Sequence, residues 1–258
     1  MPDINIDHLS GIARVIFNRP KIRNALTFEM YDQIHDICAQ VNNNTHIKAI
    51  IFAGSDPSAF AGGTDIRLLQ SIVTGRDGLA YEERIERVIG AVERCRVPTI
   101  AAIAGACTGG GAALAAACDL RIGAANMQFG YPIARTLGNC LSLANCARLS
   151  FLIGPGRFKD LLITARLMGA EEAYAIGLIS EIVNDPGKVL ARAHQLAELI
   201  LQHAPLAIRA AKEALLRIQA QVQSIGFSDV IEQCYASEDF RLGVQSFLKK
   251  EIPQWSGH

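Results

Sequence analysis

Two short glycine-rich stretches constrain this chain more than any other feature. The first is Ala59-Phe60-Ala61-Gly62-Gly63-Thr64-Asp65-Ile66 and the second is Gly105-Ala106-Cys107-Thr108-Gly109-Gly110-Gly111. Apolar runs at 48–53 and 99–104 precede them, and short apolar runs bounded by turn residues predict buried strands. Each stretch therefore reads as a strand, a glycine turn and a helix start. Such a turn leaves backbone N–H groups without intrahelical partners. The helix start adds partial positive charge, and glycine lets a ligand approach the backbone closely. Two such turns at the ends of two strands point to one shared anion-stabilising site. Tight packing of helix on strand explains either turn taken alone. A Walker-type phosphate loop is not indicated, because the second stretch lacks a Lys-Ser/Thr pair and no GxGxxG with a distant acid occurs.

Strands are expected at 4–6 and 13–17 around the turn at Ser10-Gly11, and Asn18-Arg19-Pro20 ends the second of them. Thr27 is placed to cap a helix whose apolar positions are Met30, Tyr31, Ile34, Cys38 and Val41. A second amphipathic helix is expected over 79–96, a small-residue helix over 110–117 and a strand over 120–123. From Leu143 onward helices dominate, at about 143–152, 156–164, 170–176, 187–203, 206–223 and 238–248. A strand-rich first half followed by helices predicts an α/β core with a helical C-terminal subdomain.

Charge balances at 25 basic against 25 acidic residues, which argues against a nucleic-acid or anionic-membrane partner. No apolar run approaches the ~18 residues of a membrane span. The start MPDINIDHLSG has neither a basic nor an apolar signal region. Seven cysteines form no CxxC pair and have no histidine at ligand spacing, so no metal is expected and a reducing, cytoplasmic setting fits.

The sequence resembles the crotonase (enoyl-CoA hydratase/isomerase) superfamily nearly from end to end. The matching residues are Asn18-Arg19-Pro20 with Asn24-Ala25-Leu26, then both glycine stretches, then Val97-Pro98-Thr99-Ile100-Ala101-Ala102 and Cys118-Asp119-Leu120. Further on come Thr164-Ala165-Arg166, Ala170-Glu171-Glu172-Ala173, Gly177-Leu178-Ile179, Ala204-Pro205, Phe247 and Lys250. The resemblance implies a spiral of repeated ββα units over 1–200. It also implies a helical region over 201–258 that trimerises and covers CoA, giving a homotrimer or a dimer of trimers. Its implied ligand is an acyl-CoA thioester, with coenzyme A as part of the substrate and no tightly bound cofactor.

Carried over residue by residue, the family's two oxyanion donors fall on the backbone N–H groups of Ala61 and Gly110. Such donors stabilise the charge that develops on a thioester carbonyl, at ~3–4 kcal/mol each. The family's CoA contacts fall on Lys21, Arg23, Ala59, Asp65, Ile66, Arg67, Phe247 and Lys250. For Asp65, capping of the following helix is the expected role.

The departures matter equally. Hydratases of this family work with two glutamates. The resemblance puts these at Ala113 and Ile133, and no acid occurs between Asp119 and Asp160. Classical hydration is therefore in doubt. Polar candidates for the pocket are Thr64, Arg135, Asn139, Cys140 and Ser142, of which Arg135 could bind a carboxylate and Cys140 could attack only as a thiolate. Glu82, Glu83 and Glu86 lie on the helix that borders the acyl end of such pockets; a solvated helix face is the expected role, and one of them reaching into the pocket is the alternative. The expected function is an acyl-CoA enzyme that stabilises a thioester enolate. Decarboxylation, isomerisation or acyl-CoA binding without turnover are the alternatives.

Overall fold

The computed structural model describes residues 2–44, 46–223 and 226–257. The chain opens on an antiparallel hairpin, β1 (Ile4–Leu9) and β2 (Ile12–Phe17), turning at Ser10 and Gly11 with positive φ. Helix α1 (Phe28–Asn43) starts where the Thr27 hydroxyl accepts from the Met30 N–H at 3.2 Å. It buries Met30, Tyr31, Ile34, Ile37, Cys38 and Val41, the face its 3.6-residue spacing predicts.

A unit then recurs: a strand joins a large sheet, a three-residue strand joins a smaller one, and a helix returns. The first copy is β3 (Ala49–Gly54), β4 (Ala59–Ala61) and α2 (Gly75–Glu93). The second is β5 (Thr99–Ile103), β6 (Ala106–Thr108) and α3 (Gly110–Ala117). The third is β7 (Leu120–Ala124) and β8 (Gln128–Gly130), followed by a one-turn α4 (Ile133–Thr136) and α5 (Leu143–Ile163). Then come β9 (Met168–Gly169), α6 (Ala170–Ala175), β10 (Ile182–Val183) and the helices α7 (Val189–Ile200), α8 (Pro205–Gln223), α9 (Ser228–Ala236) and α10 (Glu238–Lys249). The large sheet has the order β1-β2-β3-β5-β7-β10 and is parallel from β2 onward. The small sheet has the order β4-β6-β8-β9, its first three strands parallel.

Strand alternation divides the core. Ile50 and Phe52 of β3 face the helices α1 and α2, while Ala49, Ile51 and Ala53 face α7. Both faces are covered, which is why these strands read as unbroken apolar runs. Alanines on the α7 side meet Ala193 and Ala197, and small side chains on both partners let backbones approach.

The two helices expected at 143–152 and 156–164 are present, joined within α5 at a kink where Gly154 has φ +80 just before Pro155. Two expectations need correction. Helix α2 begins at Gly75 rather than 79, because Thr74 and Asp77 cap its start reciprocally. The second half is not helical alone, since β9 and β10 each close a sheet, and α9 was not expected at all.

The first glycine turn is laced to residues 23–26. Gly62 N–H donates to Arg23 O at 2.7 Å, Leu26 N–H to Gly63 O at 2.8 Å and Asp65 N–H to Leu26 O at 2.9 Å. Fully buried Asn24 completes the tie, donating from Nδ2 to Ala59 O at 2.7 Å and accepting from Arg19 N–H at 2.8 Å. Its backbone φ is +53, a value asparagine tolerates better than most residues. Asn24→Ala should cost about 3 kcal/mol by leaving buried partners unsatisfied. Urea denaturation of the variant against the parent measures this.

Candidate active site

Because β4 lies beside β6, the two glycine turns leave the small sheet next to each other. Gly110 opens α3, so its N–H has no partner within the helix. The packing there admits no side chain. A Cβ at Gly110 would overlap the Tyr31 hydroxyl, and one at Gly111 would overlap the Ala61 carbonyl. A Cβ at Gly63 would lie 3.6 Å from Gly110 N, so the turns are in contact. The Thr108 hydroxyl donates to Gly62 O at 3.0 Å and ties one turn to the other.

A cavity of about 520 Å³ opens beside these turns. Exposed Arg23, Arg67 and Phe247 stand at its mouth. Its inner wall is buried and largely apolar, with Ile85, Ala113, Tyr131 and Ile133. The volume suits a small-molecule acyl group or a larger ligand entering from the mouth.

Polar groups on the inner wall form two networks. In the first, the Thr64 hydroxyl bridges the Tyr31 hydroxyl at 2.9 Å and the Tyr81 hydroxyl at 2.8 Å. Burial pushes both phenols well above the usual tyrosine range. The second centres on Glu82, which is only 6% exposed and borders the cavity. Its Oε1 accepts from the Tyr235 hydroxyl at 2.5 Å, and Asn139 Nδ2 donates to the same hydroxyl at 3.1 Å. Burial lifts the Glu82 carboxyl to about 7, against the lowering effect of hydrogen bonds from Tyr235 and the Ser142 backbone N–H. Among the described residues, Tyr131 Oη and Asn139 Oδ1 are buried cavity-wall atoms with no hydrogen-bond partner. No cluster of three His, Cys, Asp or Glu among the described residues could hold a metal ion. Nor is any described helix long and apolar enough to cross a membrane.

The sequence model of the family described as enoyl-CoA hydratase/isomerase matches residues 7–258. The chain belongs to that family. It is 35% identical to a crotonyl-CoA hydratase of Syntrophomonas wolfei subsp. wolfei, covering 96% of this chain and 95% of the relative. A short-chain-enoyl-CoA hydratase of Clostridium acetobutylicum is 31% identical over 93% of this chain and 92% of its own. Among solved structures, a methylmalonyl-CoA decarboxylase in complex with 2-nitronate-propionyl-CoA aligns with a TM-score of 0.86 at 27% identity, covering 100% and 99% of the two chains. The fold is thus that of the crotonase superfamily, with its helical C-terminal region.

The cavity gathers some of the residues expected at the site and leaves others outside it. Arg23, Ile66, Arg67 and Phe247 border it, while Lys21 and Lys250 are exposed elsewhere. Ala59 is fully buried, with its carbonyl held by Asn24. Asp65 accepts from the Arg67 backbone N–H at 3.2 Å and caps the 3-10 turn Ile66–Ser71. The Arg67 guanidinium holds its carboxyl below the usual range, with Arg19 adding a bond at 3.2 Å. Thr64, Arg135, Asn139 and Cys140 line the cavity, but Ser142 does not: its hydroxyl accepts from Asn145 N–H at 3.2 Å and caps α5. The Cys140 thiol lies against the Cys234 thiol, and that contact, with burial, raises Cys140 while it lowers Cys234.

The expectation of a solvated glutamate face on α2 fails for Glu82 alone. Glu83 is exposed and Glu86 pairs with Arg148, but Glu82 sits on the buried face with Gly78, Ile85 and Ile89. That signal was present in the sequence, since 78, 82, 85 and 89 are spaced three and four apart.

The raised Glu82 value makes a stability prediction. A carboxyl raised from 4.5 to about 7 in the folded state favours folding below pH 4.5, and that contribution is lost as pH rises through about 7. Glu82→Gln should therefore gain stability over the parent between pH 4.5 and 7, up to about 3 kcal/mol by pH 8. Denaturant midpoints of both proteins across pH 4–8 check this.

Proposed function

We propose that the chain binds an acyl-CoA thioester with its carbonyl oxygen between the backbone N–H groups of Ala61 and Gly110, and that the reaction passes through the enolate held there. The observation that carries this is the contact between the two glycine turns at the cavity's edge. Donors fixed in the backbone stabilise a developing oxyanion more than a neutral carbonyl, and they need no reorganisation to do so. The apolar inner end then takes the acyl chain. Arg23, Arg67 and Phe247 at the mouth are suited to the phosphates and adenine of CoA.

Addition of water by a glutamate pair is not part of the proposal. Ala113 and Ile133 stand where the resemblance puts those glutamates, and both are apolar walls of the cavity. The likeness to a methylmalonyl-CoA decarboxylase favours a second reading, loss of CO2 from a thioester bearing a carboxylate. Such a step leaves the electron pair of the broken C–C bond in the enolate, so it needs an oxyanion site but no base.

The test is Gly110→Pro, which deletes the N–H and suits the first position of a helix. Tyr31→Phe must accompany it, because the Tyr31 hydroxyl occupies the space a Cβ needs. Crotonyl-CoA hydration and CO2 release from methylmalonyl-CoA would be followed for the parent, Tyr31→Phe and the double variant. Turnover should fall roughly 100- to 1,000-fold from Tyr31→Phe to the double variant. A folded double variant that binds thioester and turns over at the Tyr31→Phe rate sinks the proposal.

A further inference from the structure

We propose that the Glu82 carboxyl is the group that moves the proton at the α-carbon of the bound thioester, with Tyr235 and Asn139 as the residues that position it. This rests on the enolate reading given above. The ionisable side chains that border the cavity leave few choices. Arg23, Arg67 and Arg135 carry guanidinium groups, which donate hydrogen bonds and accept none. Asp65 is held by two guanidinium groups. The Tyr81 and Tyr131 phenols and the Cys140 thiol are driven upward, by burial and, for Cys140, first by its contact with Cys234. Glu82 alone among them has both protonation states within reach near pH 7.

Its placement agrees. Tyr81, the preceding residue, is bonded to Thr64, whose Oγ1 lies 3.3 Å from where a Cβ of Gly110 would stand. Glu82 borders the same cavity as Thr64, Gly63 and Gly110, which is the geometric ground for the assignment. Two donors, the Tyr235 hydroxyl and the Ser142 N–H, hold it in one orientation. On the wall of the same cavity, the orphaned Asn139 Oδ1 and Tyr131 Oη mark buried polar capacity that no described protein group uses. A polar group of the substrate or a water would satisfy them.

The step balances without any co-reactant. Ionised Glu82 takes the α-proton, and the C–H electron pair moves into the enolate with its charge on the thioester oxygen. Return of a proton from the Glu82 carboxylic acid regenerates the thioester. In D2O the acid exchanges with solvent, so the α-position acquires deuterium. In the decarboxylation reading the same acid protonates the enolate left by CO2.

The groups facing Glu82 come from several elements. Glu86 lies one turn further along α2 and is neutralised by Arg148 of α5. Tyr235 comes from α9, Cys140 from the loop before α5, Cys146 from α5 and Tyr31 from α1. The two thiols and the two phenols are all pushed above their ordinary values, by burial and, for Cys140, first by the Cys234 thiol. Cys234, held against Cys140, is lowered to about 7 but does not border the cavity; among the described groups that do, the titration nearest neutrality belongs to Glu82.

The experiment is α-proton exchange of butyryl-CoA in D2O, followed by mass spectrometry, beside calorimetric binding of butyryl-CoA to the same proteins. Parent exchange should rise with pH to a plateau with a midpoint near 7. Glu82→Gln should exchange at least ~100-fold more slowly while binding butyryl-CoA within about threefold of the parent. Tyr235→Phe removes a donor to the carboxylate, so its midpoint should move to higher pH, a shift that a merely structural role would not produce. If Glu82→Gln fails to fold, Glu82→Asp and the parent profile decide: a profile flat from pH 5.5 to 8.5 overturns the proposal. Exchange by bound Glu82→Gln at the parent rate also overturns it, as does a parent that binds butyryl-CoA without exchanging it. A parent that does not bind butyryl-CoA at all refutes the enolate reading itself, which is a different failure.

Discussion

Where β4 runs beside β6, Ala59 pairs with Ala106 and Ala61 with Cys107. Two strands of three residues each decide where everything in the cavity stands. Parallel pairing makes both strands end on the same side, so the backbone that follows each must turn there. Side chains at the contact are excluded by the Tyr31 hydroxyl and the Ala61 carbonyl. Asn24 and the 23–26 backbone then keep the first turn from relaxing away from the second. The large sheet, α1 and α2 are the frame against which this small sheet is held.

Much of this frame was legible in the sequence. The central strands β3 and β5 of the large sheet are buried and almost wholly apolar on both faces, and α1 carries its apolar positions at helical spacing. The small sheet was not legible, because strands of two or three residues cannot display a period. Helix α9 was missed for a related reason: Ser228–Ala236 is short, and Phe227 before it offers no capping side chain. The two glycine turns were legible as turns, and the family resemblance supplied the residues to which the oxyanion donors are assigned. Glu82 was misplaced because it was judged by its charge, together with its neighbours Glu83 and Glu86. Its position on the helix was the better guide.

The inner wall shows a transfer of chemistry between elements. Helix α3 and the segment after β8 present Ala113 and Ile133, which cannot carry a proton. Among the described residues two carboxylates border the cavity: Asp65, held by two guanidinium groups, and Glu82, brought by α2 and raised by burial to about 7, the group to which the proposal gives the proton. A buried carboxyl weakens a fold at neutral pH unless something is gained by its presence, and Glu82 is kept buried all the same.

The bond from Tyr235 to Glu82 spans 153 residues of chain. While the protein is being synthesised, the glycine turns, the cavity's apolar floor and Glu82 itself are all made long before Tyr235 exists. Until α9 docks against α2 the carboxyl lacks one of its two donors, and until α10 follows the cavity lacks Phe247 and Leu248 from its wall. A nascent chain can thus fold its sheets early and still hold no properly set acid. If Glu82 has the role proposed for it, the site is complete only once the C-terminal helices have docked, because one of the two donors to its carboxyl comes from there.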